Sequence, residues 1–108
     1  MTAAFIEQDT LTELAKTDEM EDLSMTQRLA LYETAIETLG MMVAVRSEWI
    51  SAERKKSNPN KSLINKWEDE QIDFFLQDER LLLHDTAKIE EIIAVYAPII
   101  KKEFAKYS

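Results

Sequence analysis

From Ser24 to Ser57 the chain runs thirty-four residues without a proline, and Leu29, Tyr32, Ile36, Leu39, Val43 and Ile50 recur along it at steps of three, four and seven. That spacing keeps one face of an α-helix apolar and fits no strand. A helix of this length runs roughly 50 Å, longer than a domain of this size is wide, so the rest of the chain has to fold back against it. The capping box Ser24-Met25-Thr26-Gln27 marks its start, and the cations of Glu53-Arg54-Lys55-Lys56 suit its last turn.

The remaining elements follow from local signals. A chain of 108 residues with one glycine and two prolines has little material for hairpins, and 45% hydrophobic with 31% charged residues suits a single globular domain. Ser57-Asn58-Pro59-Asn60 reads as a loop, because a residue before proline is pushed out of the helical region. A second long helix is expected from Lys61 or Ser62 to Leu83, with Leu63, Ile64, Trp67, Ile72, Phe74, Phe75, Leu76 and Leu81 to Leu83 as its apolar set. His84-Asp85-Thr86 reads as the next break, with Asp85 as N-cap and His84 capping the end of helix two. Ile89, Ile92, Ile93, Tyr96, Ile99, Ile100, Phe104 and Tyr107 carry a third helix to the end, in which Pro98 predicts a kink near Ala97. Gly40, in the middle of the first long helix, predicts a close helix contact or a bend.

Residues 1–23 read as an acidic arm holding one short helix after Thr10-Leu11-Thr12-Glu13, and residues 24–108 as the body. The predicted fold is therefore all-α: an antiparallel bundle of two long helices, a kinked third helix and a short N-terminal helix. No cysteine is present, which excludes disulfides and thiol catalysis. The N-terminus has no basic region followed by an apolar run, and no apolar window approaches about 20 residues, so a cytoplasmic protein without a membrane span is expected.

The net charge of −8 is unevenly placed. Residues 1–25 carry −6 and residues 68–79 another −6, whereas residues 26–67 carry +3 and residues 80–108 carry +1. Such a surface repels nucleic acid and favours basic partners. The basic patch of Arg54, Lys55, Lys56, Lys61 and Lys66, edged by Trp49 and Trp67, reads as a solvated turn within that acidic surround.

The densest candidate for a site is the acidic run on helix two: Glu68, Asp69, Glu70, Asp73, Asp78 and Glu79. Beside it the apolar surface of Phe74, Phe75, Leu81 and Leu82 is wider than one helix seam needs, which suits a partner or a second copy of the chain. Glu70-Gln71-Ile72-Asp73 is similar to one half of the paired Glu-x-x-Glu and Glu-x-x-Asp pattern of the all-α nucleotide pyrophosphohydrolases. That resemblance implies a metal-dependent nucleotide hydrolase, but Glu33 and Glu37 on the long helix stand four residues apart where the family has three. His84 has no nucleophile arrangement around it, and no catalytic or metal set and no cofactor motif is expected. The reading is a non-catalytic acidic helical protein of the inhibitor, immunity or antitoxin kind, occupying a basic surface on a protein partner. The rivals are the hydrolase and a structural homodimer.

Overall fold

The structure, a computed structural model, describes residues 23–106; the acidic arm and the helix expected after Thr10 lie outside them. Those residues form α1 (Met25–Arg54), α2 (Lys61–Arg80) and α3 (Thr86–Ala105), with no strand among them. None of these helices is long and apolar enough to cross a membrane.

The first helix starts where its cap directs. Ser24 Oγ accepts from the Gln27 amide at 3.3 Å, and Gln27 Oε1 accepts from the Ser24 amide at 3.1 Å, so the capping box closes in both directions. Its 30 residues span about 45 Å. Of the expected Leu29–Ile50 stripe, Leu39 and Ile50 are buried, and the buried face extends round the helix to Leu31, Ala35, Thr38, Met42 and Val45. Leu29 is 43% exposed, while Tyr32, Ile36 and Val43 form a flank packed against the core. Two threonines stand on that face: the Thr34 hydroxyl donates to Ala30 O at 2.8 Å and the Thr38 hydroxyl to Thr34 O at 2.6 Å. Satisfied on their own helix, these hydroxyls enter an apolar core with little penalty.

Positions that rise along α1 meet positions that fall along α2: Val43 meets Gln71, Arg46 meets Glu70 and Trp49 meets Trp67. The pair is antiparallel. At one end the Tyr32 hydroxyl donates to Leu81 O at 3.3 Å, and at the other the Trp49 indole donates to Glu103, so α3 returns alongside α1 in the same direction. Both α2 and α3 pack chiefly on α1. The core between them joins Leu31, Leu39 and Met42 to Phe74, Leu81, Ile89, Ile92, Ile93 and Ile100.

Gly40 is exposed, and nothing lies within 4 Å of the place a Cβ would take, so the close helix contact expected there is absent. What remains is the helix-propensity cost of glycine. Gly40→Ala is expected to raise stability by about 1 kcal/mol, read as a higher denaturant midpoint at unchanged slope.

Two turns join the helices. In the first, Glu53 is buried at 5% exposure and accepts from the Asn60 amide at 3.0 Å and from Lys56 Nζ at 2.8 Å, while Asn60 Oδ1 caps α2 through the Leu63 amide. The Lys56 hydrogen bond, followed by the Asn60 amide, holds the Glu53 carboxyl below its ordinary 4.5, against the opposing push of burial. A carboxyl with a lower pKa folded than unfolded stabilises fully above the ordinary value, and the contribution is lost as pH falls through the folded value. Glu53→Gln is therefore expected to lower the melting temperature at pH 7 and to flatten its fall below about pH 5. A fall of equal steepness in both proteins would contradict this role.

The second turn begins earlier than expected. Helix α2 stops at Arg80 rather than Leu83, because Leu81 takes an extended backbone at φ −72° and ψ 128° and turns into the core at 4% exposure. Its amide closes the helix on Gln77 O and Asp78 O at 3.1 and 3.4 Å, so His84 does not cap that end; the histidine is 76% exposed, 4.0 Å from Asp85. Asp85 holds the N-cap position, but its side chain accepts from the Leu82 amide at 2.9 Å and so ties the linker rather than the first turn of α3.

Candidate interaction surface

Helical periodicity gives α2 two faces. Ile64, Trp67, Gln71, Phe74 and Asp78 recur at three and four residues and turn towards α1, each buried or half-buried. Asn65, Asp69, Ile72, Leu76 and Glu79 recur at the same spacing on the opposite side, and all five are exposed.

The inward face is clamped by groups that interrupt the apolar pattern. Arg46 Nε pairs with Glu70 Oε2 at 2.5 Å, and the guanidinium lies 4.2 Å above the Trp49 ring and 5.7 Å from that of Phe74. Its Nη1 is buried without a hydrogen-bond partner, a cost that the ring contacts offset. Gln71 Nε2 donates to Val43 O at 2.9 Å and to Ser47 Oγ at 2.8 Å. Trp49 meets Trp67 edge to face at 5.5 Å and donates to Glu103 at 3.3 Å, joining α1 to both neighbours. The Lys106 hydrogen bond, aided by that of Trp49, holds the Glu103 carboxyl below its ordinary range against the push of burial. Nothing in the sequence assigned these roles; the available signal was a charged residue inside an apolar stripe, three positions before a tryptophan and facing an acid on the next helix.

Because both helices lean on α1, a groove of about 830 Å³ opens between α2 and α3. Arg46, Phe74, Tyr96, Asp69 and Asp73 are among the residues that line it, with Phe74 and Tyr96 edge to face at 5.4 Å.

The acidic run of α2 thus divides. Glu70 is committed to Arg46, and Glu68 makes an exposed 3.5 Å pair with Arg54 of a kind worth little in water. Asp78 is half-buried, while Asp73 is exposed and accepts from Gln77 Nε2 at 3.0 Å. Asp69 and Glu79 are exposed, and neither meets a cation among the described residues. Also among the described residues, no three His, Asp or Glu side chains gather as a metal ion requires.

The apolar candidates divide as well. Phe74 and Leu81 belong to the core at 5% and 4% exposure, leaving Phe75 and Leu82 outside at 57% and 52%. Ile72 at 57% and Leu76 at 37% join them, two residues the expected surface omitted. The outward face of α2 therefore carries apolar side chains between unneutralised carboxylates, an arrangement suited to contact with an apolar surface rimmed by cations.

Comparison with protein-family models, with curated proteins and with solved structures returns no match for this chain.

Proposed function

We propose that this chain is a non-catalytic interaction protein, of the inhibitor, immunity or antitoxin kind, whose α2 occupies a basic surface on a protein partner. The observation that carries the reading is the exposed face on which Ile72 and Leu76 lie between Asp69 and Glu79, with Phe75 flanking it on one side and Asp73 on the other. Exposed apolar side chains supply contact area, and carboxylates without cations of their own supply orientation and association rate. The acidic arm of residues 1–23 assists through its charge. Glu70 is the first carboxylate of the hydrolase-like half pattern, and its pairing with Arg46 favours a structural duty for it over metal chemistry.

Affinity capture from host lysate tests the proposal, comparing the wild type with Asp69→Asn/Asp73→Asn/Glu79→Gln at equal loading. One protein is expected to be retained by the wild type and depleted at least about tenfold with the variant, the loss expected when several rim charges are removed. Equal retention by both would overturn the assignment of this surface.

A further inference from the structure

We infer that the element received by the outward face of α2 is a single basic amphipathic helix; the inference rests on the reading above and specifies its partner. Asn65, Asp69, Ile72, Leu76 and Glu79 follow one another at four, three, four and three residues, and every one is exposed. That row runs straight along α2 and suits a second helix laid along it. The seam extends about 21 Å, enough for roughly four turns of a partner helix. Ile72 and Leu76 occupy its middle, and Phe75 at 57% exposure flanks them, so the apolar contact is central. Asp69 precedes that centre along the helix and Glu79 follows it, both on the seam itself, while Asp73 flanks the seam between Ile72 and Leu76.

The same charges select against a second copy of the chain. An antiparallel two-fold pairing centred between Ile72 and Leu76 sets Asp69 of one copy beside Glu79 of the other. A parallel pairing sets every carboxylate beside its own equivalent. Like charges at a helix seam are unfavourable in either direction, while a partner with leucine or isoleucine at the seam and lysine or arginine opposite these acids satisfies both the apolar centre and the charged ends.

Two synthetic peptides of about three heptads test this by titration against the full chain. One carries leucine along one seam with lysine flanking it; the other has the same composition, scrambled so that leucine and lysine fall on all sides. The striped peptide is expected to bind one to one, at least about tenfold more tightly than the scrambled one. Ile72→Asn is expected to remove most of that advantage with a melting temperature within about 4 °C of wild type, since its side chain is 57% exposed. Equal binding of the two peptides, abolished by the Asp69, Asp73 and Glu79 amide variant, would overturn the helix seam while leaving the acidic surface in place. No binding of either peptide would overturn the inference, and the acidic-surface reading would then be judged by lysate capture alone.

Discussion

Phe74→Ala is expected to lower the unfolding free energy by about 3–5 kcal/mol, whereas Phe75→Ala, one residue on, is expected to change it by less than about 0.5 kcal/mol. Phe74 is 5% exposed, packed in the core and edge to face with Tyr96, while Phe75 is 57% exposed. Removing the first ring leaves a cavity where α1, α2 and α3 converge; removing the second returns solvent-facing surface to solvent. Denaturant titration of the two variants reads the difference directly. Comparable losses would mean that α2 is rotated relative to α1 from the arrangement described here.

Arg46→Ala is expected to lower stability by about 2–3 kcal/mol, a larger loss than an exposed ion pair gives. The side chain is 13% exposed, ion-paired with Glu70 and stacked on Trp49. Truncation leaves Glu70 without its cation and uncovers the Trp49 ring. Because Glu70 is 30% exposed and can recover water, Glu70→Gln alone is expected to cost only about 1 kcal/mol. In a double-mutant cycle the two losses are expected to fall short of additivity by about 1 kcal/mol, the coupling of a contacting pair. Strict additivity would show that the pair contributes nothing beyond its separate side chains.

Features set by local chemistry were legible in the sequence. The Ser24 capping box, the turn before Pro59 and the start of α2 at Lys61 each depend on a few neighbouring residues, and each stands where those residues place it. The all-helical class followed from periodicity and from the scarcity of glycine and proline. Features set by the angle at which helices meet were not legible. The buried face of α1 includes Ala35, Thr34 and Thr38 because alanine and internally bonded threonine can enter an apolar core, a property hidden when only strong hydrophobes are counted. Leu81, Leu82 and Leu83 read as helix because they are apolar and unbroken, yet Leu81 takes an extended backbone, its side chain enters the core and its carbonyl accepts from the Tyr32 hydroxyl. Phe74 and Phe75 formed one surface on paper because composition does not say which of two helical neighbours, about 100° apart, faces inward. The acidic run was conspicuous, but only the positions of Arg46 and Arg54 distinguish the carboxylates committed to folding from those left free.

On this account the inward face of α2 builds the fold and its outward face meets the partner, so the two roles should separate experimentally. The most direct measurement is the affinity of Ile72→Ala/Phe75→Ala for the captured partner, made beside its thermal melt. Affinity at least about tenfold weaker, with a melting temperature within about 2 °C of wild type, is the expected result. Unchanged affinity with an unchanged melt would contradict the assignment of the outward face of α2 as the interaction surface.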